Sequence, residues 1–288
     1  MNGSLKMTKM LRGSKGISLI ELMVALVISA ILIAALYRTF ISQQKTYNIQ
    51  EQVVDMQQNA RLSVSKMMKE IRMAGFGGVA NFLQDGTSKM TFGSTDFYDV
   101  ITHNTPAGGL TVITVGGETT ISTDPVSSNQ IQVASLTDSQ GNTLFNTTDR
   151  RHISVGGLGI YQITNVETGT KTLTLNGNLL HNPKSGTPVA ALRAISYKVD
   201  ANTLKRGVNL GAGLENVADN ITSLQLQYLD AAGAVIANPV AQAANIRVVK
   251  VTVTARTGMA DPDYKSGGGF RTRTITSNIQ VRNMGLGS

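Results

Sequence analysis

A single carboxylate, Glu21, interrupts a long apolar run near the amino terminus. From Ile17 to Leu36 it is the only ionisable side chain among twenty residues. A charged side chain inside a membrane helix costs about 2.5 to 3.5 kcal/mol on insertion scales. A carboxylate at this position therefore indicates a function that requires it, and pairing with a cation is the chemistry that would stabilise it.

The run around Glu21 is long enough to cross a membrane. Twenty helical residues at about 1.5 Å each extend roughly 30 Å, which is one hydrocarbon thickness. The sixteen residues before the run contain four basic side chains and no acid, and the positive-inside rule places such a segment in the cytoplasm. We therefore expect residues 17–36 to span a membrane with the amino terminus inside. A secretory signal fits poorly, because the apolar run is too long and contains no Ala-x-Ala cleavage site.

The tract Lys15-Gly16-Ile17-Ser18-Leu19-Ile20-Glu21 resembles the class III signal of type IV prepilins and pseudopilins. The resemblance implies that residues 1–16 are a leader, that a prepilin peptidase cleaves between Gly16 and Ile17, and that Ile17 is then N-methylated. It also implies that Glu21 pairs with the amine of a neighbouring subunit and sets the register of assembly. Pairing with the amine of its own chain is one alternative, and a plain single-pass anchor is another.

The absence of glycine and proline from Ile17 to Ala74 permits one continuous helix. We predict a helix over residues 17–75. Its second half carries an apolar stripe at spacings of three and four, which predicts packing against a folded head, with a coiled-coil partner as the alternative. The stripe consists of Ile49, Val53, Met56, Ala60, Val64, Met67, Ile71 and Ala74.

Residues 76–288 are rich in Thr, Val, Gly and Asn and predict a head built from strands. Gly116-Gly117 predicts a two-residue hairpin between two apolar runs, and Ile160–Val166 is expected to pair with Lys171–Leu175. Residues 221–283 alternate apolar and polar side chains and predict an antiparallel meander with one buried face. The expected fold class is α+β, a long N-terminal helix packed on an antiparallel β-rich, pilin-like head. Without cysteines, packing must stabilise it.

A second resemblance narrows the family. The segment from Asn59-Ala60-Arg61-Leu62 to Met73-Ala74-Gly75-Phe76 is similar to the PilW family of minor pilins, and Ile279-Gln280-Val281-Arg282-Asn283 is similar to the last strand of PilW and of J-type pseudopilins. This resemblance implies a minor pilin that primes type IV pilus assembly and joins a tip complex. The implied partners are a prepilin peptidase, other minor pilins, the major pilin, the inner-membrane assembly platform and, before assembly, membrane lipid.

The implied location is the inner membrane, with a periplasmic head, and then the fibre or its tip. A J-type pseudopilin of type II secretion is the nearest alternative. An adhesin or binding module that uses residues 80–215 is an alternative of another class. Arg61 and Arg72 are candidates for holding the helix to the head, although surface positions fit the sequence equally well.

The sequence predicts no enzyme, cofactor or metal site. His103, His152 and His181 are far apart and lie in no zinc or nucleophile spacing. Asp261-Pro262-Asp263 could contribute to a calcium loop, but a solvated turn is the more common meaning of this pattern. The net charge of +8 falls to +4 without the leader, and Arg271 and Arg273 fit a solvated strand edge, so nucleic-acid binding has little support.

Overall fold

A computed structural model describes residues 16–83, 88–125, 127–210 and 213–284, so most of the predicted leader lies outside the described residues. The fold is α+β, as predicted. The chain divides into two compact units, one ending at Glu51 and the other beginning at Gln52.

Helix α1 runs from Leu19 to Arg72 and contributes to both units. It contains no glycine or proline, so nothing in the sequence interrupts its hydrogen bonds. The chain leaves the helix at Gly75, whose φ of 77° is in the left-handed region that glycine tolerates best. A five-residue helix, α2 (Val79–Leu83), follows a 3-10 turn. The expectation that only strands follow the stalk was therefore wrong at this point.

The head contains three sheets within the described ranges. A hairpin is formed by β1 (Met90–Phe92) and β2 (Thr95–Phe97). Nine strands form the largest sheet: β3 (Ile101–His103), β4 (Leu110–Thr120), β5 (Gln130–Gln132), β6 (His152–Val155), β7 (Gly159–Glu167), β8 (Thr172–Leu175), β9 (Pro188–Asp200), β10 (Thr203–Val208) and β11 (Glu215–Asp219). The third sheet is the antiparallel meander β12 (Ile221–Leu229), β13 (Val248–Arg256) and β14 (Thr272–Gln280).

Strand β9 organises the large sheet. It pairs with β4 along one edge, while β6 and β10 share its other edge. All of these pairings are antiparallel. The predicted pairing of Ile160–Val166 with Lys171–Leu175 is confirmed by the antiparallel register of β7 and β8.

The predicted hairpin at Gly116-Gly117 was wrong, because both glycines lie inside the continuous strand β4. The register of β4 against β9 shifts between Val115 and Gly117, which marks a bulge. A Cβ on Gly116 would lie 2.1 Å from Nε of Arg193, and one on Gly117 would lie 2.4 Å from Leu144. Glycine is needed here because neighbouring side chains approach the backbone closely, and no turn is made.

Residues 121–187, which we call the inserted segment, leave and rejoin the β4–β9 strand pair at adjacent points. Thr120 at the end of β4 lies opposite Pro188 at the start of β9. The backbone N–H of Ile121 donates to the carbonyl of Thr187 at 2.9 Å, and that of Gly186 donates to the carbonyl of Ile121 at 2.8 Å. The segment, which contains β5 to β8, thus replaces the loop of a β4–β9 hairpin.

The described residues of the head form two hydrophobic cores. The first joins the second half of α1 to the large sheet and to the inner face of β13, where Val249, Val251 and Val253 are fully buried. The second lies mainly in the inserted segment and includes Ile131, Phe145, Ile163, Leu173 and Leu175. Strand β9 contributes to both cores, which links the inserted segment to the rest of the head.

Candidate functional site

The predicted cleavage site lies ahead of the helix and is exposed. Residues 16–18 have no regular secondary structure, and Ile17 is 76% exposed. A Cβ placed on Gly16 would meet no atom within 4 Å. The peptide bond between Gly16 and Ile17 therefore lies in a segment that a peptidase could bind without unwinding the helix.

Ser18 and Glu21 form a reciprocal cap at the start of α1. The backbone N–H of Ser18 donates to Oε2 of Glu21 at 3.0 Å, and the backbone N–H of Glu21 donates to Oγ of Ser18 at 3.3 Å. This is the capping box expected for a Ser-x-x-Glu sequence, and it satisfies two N–H groups that lack partners within the helix. The Ser-x-x-Glu spacing is readable from the sequence, but the only partners predicted for Glu21 were amines.

The cap does not exhaust the hydrogen-bonding capacity of Glu21. An ionised carboxylate has about four lone-pair sites, and the cap uses one of them. The positive end of the helix dipole also favours a negative charge in the first turn. Glu21 can therefore cap its own helix and accept a hydrogen bond from an amine at the same time.

The described part of the first unit presents a long and mainly apolar surface. Every described residue from Gly16 to Gln44 is exposed, including Leu19, Ile28 and Phe40, which are 80%, 53% and 60% exposed. Helix α1 is long and apolar enough in this part to cross a membrane. Because so large an apolar surface is unfavourable in water, it requires lipid or other protein chains to cover it.

Most residues of the predicted stripe that fall in the second unit are buried. Met56, Ala60, Val64, Met67 and Ile71 belong to the first core. Val53 is partly buried and packs against that core, and Ala74 is fully buried. Leu62, on the opposite side of the helix, is 51% exposed.

A polar contact also attaches the helix to the sheet, and it involves residues that no sequence pattern singled out. Arg206 on β10 donates from Nη2 to Oε1 of Glu70 at 2.7 Å and from Nε to both carboxylate oxygens at 3.0 and 3.2 Å. The hydroxyl of Tyr197 on β9 donates to Oε2 of Glu70. Arg61 and Arg72, the predicted candidates for this role, are exposed.

Burial and hydrogen bonding together set the protonation states of Tyr197 and Arg206. Burial, reinforced by the Glu70 charge, raises the pKa of Tyr197 far above its ordinary value of 10.0, so the hydroxyl remains a donor. Burial alone would lower the pKa of Arg206, but its hydrogen bonds to Glu70 raise it overall. The ion pair between Arg206 and Glu70 therefore lies beside the neutral phenol of Tyr197.

His103, His152 and the acidic turn at Asp261 have structural partners. His103 Nδ1 lies 3.0 Å from the Tyr228 hydroxyl, and His152 Nε2 lies 2.8 Å from the carbonyl of Thr91. Asp261, which is buried, accepts a hydrogen bond from Arg271 at 3.1 Å, so it is not the solvated turn residue that we expected. Within the described part of the chain, no three His, Cys, Asp or Glu residues are grouped to hold a metal.

The strand edge at Arg271 and Arg273, predicted to be solvated, is only partly free of contacts, and the nearby Arg247 is also engaged. Arg271 pairs with Asp261, and Arg247 donates to the carbonyls of Ala244 and Ile246. Arg273 is exposed and lies opposite Ala255 on β13. Because Arg247 and Arg271 are engaged within the head, the three arginines do not form a continuous row of free cations.

Comparison with known proteins identifies the amino-terminal segment. The model of the prokaryotic N-terminal methylation motif matches residues 11–37. No curated protein matches the chain. A solved type IV-like pilin from Thermus thermophilus is similar at 10% identity over 43% of this chain and 78% of that one, with a TM-score of 0.24, which is too distant a likeness to carry an argument. The chain thus carries an N-terminal methylation motif on an exposed apolar helix.

Proposed function

We propose that the protein is a pilin-class subunit that is stored in the inner membrane and assembled into a fibre. The methylation motif over residues 11–37 carries this proposal. It coincides with the exposed apolar part of α1, which requires lipid or neighbouring helices to cover it. Leader removal after Gly16 would leave Ile17 as the N-methylated amino terminus, and the helix would then move from lipid into the core of the fibre.

Glu21 would guide this transfer by electrostatic pairing. A carboxylate that enters an apolar fibre core is stabilised by a cation, and the new amine of a neighbouring subunit supplies one. The capping box holds the carboxylate at the first turn of α1 before any neighbour arrives. The subunit would therefore present its acceptor already oriented.

Within this class we propose a minor pilin of the PilW type. It would prime pilus assembly with other minor pilins and the major pilin on the inner-membrane platform, and it would end at the fibre tip. Its head would contact neighbouring heads, while the stripe residues from Val53 to Ile71 fasten the head to its own helix. A J-type pseudopilin would use the same processing and the same helix in a secretion machine.

Processing is tested by the intact mass and amino-terminal sequence of protein recovered from membranes with and without an active prepilin peptidase. We expect a peptidase-dependent start at N-methylated Ile17. Gly16→Val should abolish processing, whereas Gly13→Val, a matched change within the leader, should leave it intact. A start at Met1 with active peptidase would refute the proposal.

The role of Glu21 in assembly is separable from its role in the cap. Ser18→Ala removes the hydroxyl acceptor of the cap and keeps the carboxylate, whereas Glu21→Gln removes the charge and keeps an acceptor oxygen for the cap. We expect Glu21→Gln to stop incorporation into fibres, measured in sheared surface fractions, and Ser18→Ala to reduce it only slightly. Normal incorporation of Glu21→Gln would assign Glu21 to the cap alone, because glutamine can still accept the Ser18 N–H.

The choice of machine is tested by deleting the gene. Loss of surface pili and twitching motility with normal exoprotein secretion would support the minor pilin. Loss of secretion with normal twitching would support the J-type pseudopilin. Complementation with the processing-deficient Gly16→Val variant should fail in either case, which ties the phenotype to assembly.

The inserted segment favours one second candidate function, that of a binding module. Most residues of the second core belong to it, and its two ends are paired with each other where it leaves and rejoins β4 and β9. Removal of residues 80–215 would test this poorly, because Ile101, Leu110 and Tyr197 belong to the core that holds α1. Replacing residues 122–186 with Asn-Gly, which suits a two-residue hairpin, would instead join β4 to β9 directly. Normal piliation with lost attachment would support the binding module, and normal attachment would refute it.

A further inference from the structure

We propose that the cleft between α1 and strands β4, β9 and β10 binds an oxyanion, either a carboxylate on another polypeptide or a free phosphate. The cleft has a volume of about 330 Å³. Its charged lining consists of Lys66, Lys69, Arg193, Arg206 and Glu70. This site is independent of the pilin proposal, since it lies wholly in the second unit.

Arg193 is the central observation. Its Nε is buried and has no hydrogen-bond partner, and its guanidinium makes no hydrogen bond or ion pair with any described residue. Arg151, Arg256 and Arg271 also have a buried, unpartnered Nε, but each has another partner. Arg151 donates to the carbonyl of Thr91, Arg271 pairs with the carboxylate of Asp261, and the guanidinium of Arg256 lies over the ring of Phe270 at 4.2 Å. A half-buried guanidinium without such a partner is costly, and a bound anion would offset that cost.

The carboxylates nearest to Arg193 are already engaged elsewhere. Asp138 accepts hydrogen bonds from the backbone of Gln140 and Asn142, and Asp149 accepts two, from the side chains of Asn146 and Thr148. Both act on Arg193 only through their charge. Glu70, the acid that lines the cleft, is occupied by Arg206 and Tyr197. The cleft therefore lacks an internal anion for Arg193.

The other cations increase the preference for an anion. Lys66 and Lys69 are exposed on the same helix, three residues apart, and make no ion pair within the described ranges. Residues three apart lie on one face of a helix. Two ammonium groups and the guanidinium of Arg193 thus converge on one cleft. The planar guanidinium can donate to two oxygens of a carboxylate or of a phosphate.

Gly116 sets the position of Arg193. A Cβ at residue 116 would lie 2.1 Å from Nε and 2.2 Å from Cδ of Arg193. The side chain of Arg193 can lie across β4 only because this residue is glycine. Gly116→Ala would therefore displace the guanidinium without changing the charge of the cleft, which separates geometry from simple electrostatics.

The test uses a fluorescent reporter in the full chain, purified in a nonionic detergent. The chain has no tryptophan, so Met73→Trp places a single reporter at the edge of the cleft. Met259→Trp, at an exposed residue that does not line the cleft, is the matched control. Each is titrated at low ionic strength with inorganic phosphate, with a blocked tetraglutamate peptide and with a blocked tetraglutamine peptide.

We expect saturable fluorescence changes with at least one anion in the Met73→Trp protein and none with tetraglutamine or in the Met259→Trp protein. A response to phosphate alone identifies a phosphate site, and a response to the peptide alone identifies a polypeptide carboxylate. Adding Arg193→Gln should weaken binding about tenfold or more, since a charged hydrogen bond contributes on this scale. Gly116→Ala should also weaken it.

Two lysine variants test whether charge inside the cleft, rather than charge elsewhere on the surface, determines binding. Lys69→Gln changes an exposed helix residue, so it should fold normally and weaken binding severalfold. Lys265→Gln removes the same charge at an exposed residue outside the cleft and should have no effect. The proposal is overturned if neither anion gives saturation, or if Lys265→Gln weakens binding as much as Arg193→Gln. Failure of leader cleavage would not alter this outcome.

Discussion

Replacing Glu70 with Gln tests how the helix is attached to the head. The substitution removes a carboxylate that accepts three hydrogen-bond contacts from Arg206 and one from Tyr197. The two charged side chains are each 17% exposed, so water would only partly solvate the arginine left behind. Removing one partner of a fully buried ion pair costs about 3 to 5 kcal/mol.

Two features reduce the expected cost in this protein. The pair is not completely buried, and glutamine keeps one acceptor oxygen that Arg206 or Tyr197 can still use. We therefore expect a loss of about 2 to 4 kcal/mol in the free energy of unfolding of the head. For a unit of this size, that corresponds to a fall of roughly 5 to 15 °C in Tm.

The assay is thermal unfolding of the purified full chain, followed by circular dichroism, with Glu167→Gln as the matched control. Glu167 is exposed on β7, and its replacement should change Tm by little. A double-mutant cycle with Arg206→Gln should give a coupling energy of about 1 to 3 kcal/mol. A Tm equal to that of the control, or a coupling energy near zero, would show that apolar packing alone attaches the helix.

Three further predictions concern burial and backbone geometry. Met67→Ala, at a fully buried residue, should cost about 2 to 5 kcal/mol, whereas Leu62→Ala on the exposed face should cost little in the same unfolding assay. Gly78→Ala should destabilise far more than Gly108→Ala in chemical denaturation. Both glycines have positive φ, but only at Gly78 would the Cβ strike a backbone carbonyl, at 2.0 Å. Burial lowers the pKa of His152 below its ordinary value of 6.5. The unfolded chain then binds more protons, so stability should be complete above about pH 6.5 and fall below it, and His152→Gln should remove this part of the pH dependence of Tm.

Each of these predictions has a clear contrary result. Equal costs for the two helix substitutions would mean that the buried face of α1 does not hold the head. Equal costs for the two glycine substitutions would mean that the backbone near residue 78 relaxes freely. A Tm that stays constant between about pH 7.5 and 5.5 would mean that His152 is protonated equally in the folded and unfolded chains.

Local chemistry was enough to predict the helix and its apolar first half, whereas the signal was predicted from the resemblance of Lys15 to Glu21 to a known family. An uninterrupted run of helix formers has few alternatives, and a stripe at spacings of three and four requires a covering surface. The same holds for the period-two alternation in β13, whose residues Val249, Val251 and Val253 are buried. Such patterns depend only on neighbours within one element.

Prediction failed where one residue type has two possible physical roles. Gly116-Gly117 was interpreted as a turn, since paired glycines between apolar runs favour hairpins. In the structure the same residues allow Arg193 and Leu144 to approach β4. A turn and a close approach require the same absence of a side chain, and only the position of β9 distinguishes them.

By itself, the sequence determined that this protein has a methylation motif, a long helix with an apolar first half, and a strand-rich remainder without disulfides. Only the tertiary structure decided which charged residues meet. Glu70 joins Tyr197 and Arg206 from positions 127 and 136 residues away, while Arg193 is left without an anion among the described residues. Helix and strand patterns arise from short-range periodicity, but charge pairing between distant strands depends on topology and register, which no local pattern specifies.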